Sequence, residues 1–328
     1  MTRLLIGLAS ASLLLAACAT STVSPASGPS GSAPAGAPDG SAVARPTIVA
    51  AFYPLEYAAR TIGGNSVNVV GLTPPGGEPH DVELSAAQVA EIANADLVLY
   101  VKGYQPAVDE AVAQQAADHS LDVSAALPLL TAEHAGEHAG EHAGEPADEH
   151  AGESATGTDP HIWLDPMNMA AIGTAVTERL SAANAAAAGQ YQTNNASLAS
   201  DMSRLDKAFA DGLASCRSRI MVVSHEAFAY LGAAYGLTQV GISGLSPDAE
   251  PSPARMRDVA DLVTREGITT IYYETLVDPK VAQTLADEAG VASAVLDPIE
   301  GLVAGSSDSY PTLMEKNLAT LRAGQGCE

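Results

Sequence analysis

The stretch RIMVVSHEAFAYLGAAY, residues 219–235, reads as two elements joined at one histidine. Residues 219–224 are an aliphatic, β-branched run of strand length, and 226–235 carry apolar residues at helical spacing. His225 sits at the junction, just past the strand, where open parallel sheets bind their ligands. The same alternation continues toward the C-terminus, with strands expected at 238–242, 268–273 and 292–296 and helices at 253–265, 279–289 and 310–322. It also precedes the quoted stretch, with strands at 47–52, 67–73 and 96–101 and helices at 55–62, 85–93 and 106–117. Repeated strand–helix pairs imply βαβ units and mostly parallel sheets, so the expected fold class is α/β with two such lobes, 46–167 and 215–328. Between them, 168–214 shows no strand signal. Met202, Leu205, Phe209 and Leu213 recur there at spacings of three or four, which makes this segment a rigid helical spine. Asn184 marks a break, after which a helix over 185–213 would run about 40 Å.

Composition narrows the possible partners. The 328 residues hold 15 Lys+Arg against 39 Asp+Glu, a formal net charge of −24. A nucleic-acid partner is excluded, because phosphate binding requires a basic face; a cation is the natural electrostatic ligand. Three Cys without a C-x-x-C pair exclude a disulfide-dense scaffold and a zinc ribbon.

The N-terminus reads as an export signal. Arg3 precedes an uncharged apolar run over 4–17, too short for a stable membrane span. The run ends in Leu15-Ala16-Ala17-Cys18, which resembles the lipobox of bacterial lipoproteins; that resemblance implies cleavage before Cys18 and a lipid on its thiol. Residues 19–45, almost all Ala, Ser, Gly, Pro and Thr, form a flexible tether with a reach of about 30 Å. A second unusual segment, 133–153, contains His134, His138, His142 and His150 among seven acids and no base. Its glycines and charge mark it as a disordered insertion whose imidazoles and carboxylates can act as an accessory set of metal ligands.

Four residues are the primary candidates for chemistry. His80 lies in the stiff turn PPGGEPHD over 74–81, His161 in DPHIWLDP over 159–166, and His225 after its strand. Asp297 follows the last strand. Three imidazoles and a carboxylate contributed by both lobes make a tetrahedral set suited to Zn2+, and nitrogen ligation disfavours Mg2+ and Ca2+. Glu300, Glu274 or water are alternatives for the fourth position.

These motifs, with VSHEAFAYL, YYETLVDPK and LDPIEGL, resemble the metal-binding lipoproteins that serve zinc and manganese ABC importers, the cluster A-I solute-binding proteins. The resemblance runs from Cys18 to the C-terminal helix. It implies two α/β lobes joined by a long helix and one metal in the cleft between them. It also implies His80, His161 and His225 as ligands, with Asp297 where many members supply the fourth. Manganese-type members tend to carry a carboxylate where this chain has His225, so the zinc branch is favoured, and zinc-type members often carry a His-rich loop. After the first His this chain reads Val82-Glu83-Leu84-Ser85, where the family commonly has an aromatic and Glu-Pro-Thr-Pro.

The expected function is therefore extracytoplasmic capture of Zn2+ by a lipid-anchored monomer and delivery to the permease of an ABC importer, without catalysis. Affinity is expected to fall as the imidazoles protonate below about pH 6. The alternatives are a manganese-binding protein, an adhesin or zinc buffer, and a zinc hydrolase with Glu226 as base. Cys216 and Cys327 flank the second lobe, and in an exported protein this even pair is expected to form a disulfide that pins the C-terminal helix.

Overall fold

The computed structural model describes residues 45–131 and 157–328. The lipidation expected at Cys18, the tether and the accessory histidines His134, His138, His142 and His150 lie outside the described residues. Two four-stranded parallel sheets organise the chain. In the first, β1 (Thr47–Ala50), β2 (Asn68–Gly71), β3 (Leu97–Tyr100) and β4 (Ser120–Asp122) lie in the order β2-β1-β3-β4. Helices α1 (Tyr53–Gly63), α2 (Ala86–Asn94) and α3 (Pro106–Gln115) connect them. The second sheet repeats the plan with β5 (Ile220–Val223), β6 (Thr238–Gly241), β7 (Thr270–Tyr273) and β8 (Ala292–Val295) in the order β6-β5-β7-β8. Its helices are α6 (Ala229–Tyr235), α7 (Pro253–Glu266), α8 (Lys280–Ala289) and α9 (Tyr310–Gln325). The ladders that join these eight strands are all parallel, as the strand–helix alternation requires.

Local chemistry sets the element ends. Ser85 and Gln88 form a reciprocal capping box at the start of α2, and Asp165 accepts the Met167 N–H at 2.8 Å at the start of the next long helix. Gly267 and Gly290 end α7 and α8 at φ 62° and 67°, a left-handed turn that sends the chain straight back into β7 and β8. Helix α6 begins at Ala229, three residues later than the apolar spacing predicts. The Glu226 N–H is held by the Gly244 carbonyl at 2.9 Å instead, so residues 225–228 form the turn that carries His225.

The spine is a pair of antiparallel helices, α4 (Pro166–Ala183) and α5 (Ala188–Gly212), which reverse at Asn184. They pack closely at Gly173, where an added Cβ would lie 2.6 Å from Leu198 Cδ2. Helix α5 spans about 37 Å. Near its start Asn194 donates to the Ile62 carbonyl of α1 at 2.7 Å, and near its end Phe209 stacks on Tyr235 of α6 at 5.1 Å. Its apolar stripe of Met202, Leu205, Phe209 and Leu213 is buried. One continuous hydrophobic core therefore runs from Ile48 and Phe52 through Trp163 and α5 to Met221, Leu296 and Tyr310. A smaller core, including Val222, Val263 and Leu285, fills the outer face of the second sheet.

Candidate metal centre

The carboxyl ends of both sheets face one cleft, and four buried side chains meet there. His80 comes from the turn after β2, His161 from the segment before α4, His225 from the turn after β5, and Glu300 from the loop after β8. One ligand atom from each lies within 4.8 Å of all the others. The Nε2 atoms of the three imidazoles each stand 3.2 Å from the same oxygen, Glu300 Oε1. In a tetrahedron around Zn2+ with bonds near 2.0 Å, neighbouring ligand atoms are roughly 3.3 Å apart. The spacing between the carboxylate oxygen and each nitrogen matches that edge.

Proton positions strengthen the case. His161 Nδ1 faces Asp159 Oδ1 at 2.8 Å, and His225 Nδ1 faces Glu274 Oε1 at 2.9 Å. A carboxylate accepts only, so each Nδ1 carries the hydrogen and each Nε2 turns its lone pair inward. Among the described residues, neither inward nitrogen has a hydrogen-bond partner, despite the 3.2 Å approach to Glu300. Lone pairs and a carboxylate aimed at one point, with 9% exposure or less, are matched to a shared cation, a metal ion or a proton.

Protons compete for that place. Burial disfavours charge on His225, but the Glu274 and Glu300 carboxylates outweigh it and raise its pKa to about 10. His161 is raised in the same way: burial opposes the charge, and Asp159 and Glu300 overcome it. Burial would raise Glu300, yet the imidazoles, His225 foremost, hold it well below the carboxylate range.

Asp297, the leading candidate for the fourth position, is not among these four, and its carboxylate is engaged elsewhere. Its Oδ1 accepts the Ile299 N–H at 2.8 Å and its Oδ2 accepts the Thr275 hydroxyl at 3.0 Å. Asn317 on α9 clamps the Asp297 backbone on both sides, at 2.9 and 2.6 Å. Asp297 thus braces the turn that presents Glu300. Within that turn Ile299 has φ 57°, a conformation that costs a β-branched residue about 1–3 kcal/mol. Glu274, another alternative, partners His225 and takes a second hydrogen bond from Ser224 at 2.7 Å. Glu226, the candidate base, stands 3.7 Å from Arg255 and is not one of the four.

Contacts across the cleft fix the two lobes to each other. Trp163 Nε1 donates to the Pro298 carbonyl at 2.7 Å, and the Tyr310 hydroxyl donates to the Trp163 carbonyl at 2.5 Å. Tyr230 of α6 donates to the Asp159 carbonyl at 2.9 Å. Cys216 and Cys327 are disulfide-bonded and tie the end of α9 to the segment before β5. The roles of Asp159 and Tyr230 were not read from the sequence. Asp159 carried a signal in the Asp-Pro-His spacing, which lets a carboxylate fold back onto the ring two residues on; Tyr230 carried none.

A family model described as ZnuA, zinc-uptake complex component A periplasmic, matches residues 48–324. The chain is 34% identical over 286 residues to the zinc-binding lipoprotein AdcA of Streptococcus pneumoniae, with 84% of this chain and 55% of that protein covered. It thus spans about half the length of the AdcA proteins it matches. It is 31% identical over 282 residues to the high-affinity zinc uptake system protein ZnuA of Bacillus subtilis, with 84% of this chain and 86% of that protein covered. The crystal structure of the Zn(II)-bound ZnuA-like domain of S. pneumoniae AdcA superposes with a TM-score of 0.71 at 32% identity, over 86% of this chain and 99% of that one. The chain belongs to the ZnuA family of zinc-uptake component A proteins.

Proposed function

We propose that this chain is an extracytoplasmic zinc carrier, lipid-anchored through Cys18, that captures Zn2+ and delivers it to the permease of an ABC importer. The observation that supports this most is the group of three inward-facing imidazoles around Glu300 Oε1, each at 3.2 Å. We assign His80, His161, His225 and Glu300 as the ligands. A nitrogen-rich set favours Zn2+ over Mn2+. A full set of four protein ligands suits holding a cargo ion better than activating a water, which argues for transport over hydrolysis.

Titration calorimetry of metal-stripped protein with Zn2+ and Mn2+ tests the binding. One tight zinc site is expected, with Mn2+ at least about tenfold weaker. Because His225 is raised to about 10, the metal-stripped cleft holds a proton at pH 7–8 that zinc must displace. Zinc affinity should therefore climb with pH well beyond the window below pH 6 expected from unperturbed imidazoles. Runs in two buffers of different ionisation enthalpy should show proton release on binding. Tighter Mn2+ binding, or no proton release at pH 7.5, would remove the assignment.

Delivery has a separate test. A host strain lacking this protein should grow poorly when zinc is chelated and recover with added zinc but not with added manganese. Equal growth of mutant and parent under chelation would leave a carrier without a transport role.

A further inference from the structure

The three imidazoles are not held alike. His161 and His225 each give an Nδ1–H to a buried carboxylate. Among the described residues, Nδ1 of His80 has no hydrogen-bond partner. His80 is also the most exposed of the three, 9% against 0% and 1%. Its ring instead meets Tyr104 edge-to-face, with centroids 4.6 Å apart and planes at 69°. Tyr104 is itself fixed between Phe52 at 4.6 Å and Trp163 at 5.2 Å, and it stands farther from His161, also edge-on, at 5.9 Å. The next residue, Gln105, donates from Nε2 to the Pro79 carbonyl at 3.0 Å, so residues 104 and 105 grip the His80 turn by ring and amide. Among the described residues the buried Tyr104 hydroxyl has no hydrogen-bond partner, which leaves the ring as the part that makes the contact.

We propose that Tyr104, edge-on to the His80 ring, is the positioning residue for His80, and that zinc leaves the cleft by losing His80 first. A carboxylate on Nδ1 both orients a ligating imidazole and makes it a better donor. An edge-to-face ring orients without that gain, and its hold is weaker than a charge-assisted hydrogen bond. His80 is then the least firmly attached ligand, and it sits on the side of the site nearest solvent. The inference rests on the zinc-cleft reading above.

The test uses the full chain as wild type, Tyr104→Leu, Tyr104→Phe and Phe52→Leu. Zinc dissociation is measured by chelator capture, and Co2+ absorption reports the geometry of the ligand set. Tyr104→Leu is expected to release zinc at least tenfold faster and to weaken the tetrahedral Co2+ bands. Tyr104→Phe, which keeps the ring, should stay within about twofold of wild type in release rate. Phe52→Leu touches the same aromatic cluster but no ligand, so it should lower the melting temperature and leave both metal readouts unchanged. If Tyr104→Leu does not fold, Tyr104→Met, similar in volume, carries the same expectation. Wild-type release from Tyr104→Leu, fast release from Tyr104→Phe, or an equal effect from Phe52→Leu would each overturn the proposal. A wild type that binds neither zinc nor Co2+ in the cleft would instead overturn the underlying reading, and this inference with it.

Discussion

Glu300→Ala should weaken zinc binding by about 3–5 kcal/mol, roughly two to three and a half orders of magnitude, the cost of removing one member of a buried charge pair. The carboxylate is 1% exposed, and all three imidazole nitrogens converge on its Oε1 at 3.2 Å. Asp297→Asn should cost far less, within about tenfold, the low end of the range for residues that only orient a ligand. Asparagine keeps the Oδ1 acceptor that Ile299 uses, so the turn that aims Glu300 survives. The two variants also separate by pH. Glu300 is one of the carboxylates that raise His225, so its removal lowers the proton affinity of the imidazole and flattens the rise of zinc affinity with pH. Competitive titration against a chelator of known affinity, at three pH values, measures both effects. If Asp297→Asn costs as much as Glu300→Ala, the assignment of the fourth ligand is wrong.

The second large effect concerns stability rather than affinity. The disulfide joins Cys216 to Cys327 across a sequence separation of 111. On chain-entropy grounds a closure of that length contributes about 4.8 kcal/mol. The double variant Cys216→Ser, Cys327→Ser should accordingly melt about 10 °C lower or more, at about 2–4 °C per kcal/mol for a chain of this size. Zinc affinity should change little, because the ligands lie on other elements. The pathway to watch runs along α9, whose Asn317 clamps Asp297. Thermal melts with and without reductant, on metal-stripped protein, give the number directly. A shift under about 2 °C would mean that the backbone bonds beside the disulfide, Arg217 to Gln325 and Glu328 to Ser215 at 3.1 Å each, hold the end of α9 unaided.

Much of this architecture is legible in the residues because periodicity carries it. Runs such as Ile220–Val223 and Thr270–Tyr273 are apolar enough to be strands in any context, and Pro and Ser mark where the helices begin. Strand β4 is not legible: it has three residues, Ser-Leu-Asp, at a sheet edge, and only its pairing with Val98, Leu99 and Tyr100 makes it a strand. The site divides in the same way. His225 stands out because it follows β5 directly, and His80 and His161 because each sits in a proline-rich turn, PPGGEPHD and DPHIWLDP. Asp297 and Glu300 cannot be ranked from sequence, since both lie in one short loop. Which of them points inward depends on the left-handed turn at Ile299, a conformation that no β-branched residue advertises. Glu274 shows the same limit: its position after β7 is plain, but its pairing with His225 depends on a distance between strands.

The larger core, shared by the two sheets, has a consequence for the lifetime of the protein. Packing that runs from Ile48 to Tyr310 without interruption leaves neither half able to open on its own, so unfolding should be one cooperative event. Zinc that binds only the folded chain adds its binding free energy to that whole event and not to one lobe. In the proposed function, a protease would then cleave the zinc-free protein faster than the zinc-bound protein throughout both lobes, which would tie the abundance of the protein to the supply of zinc.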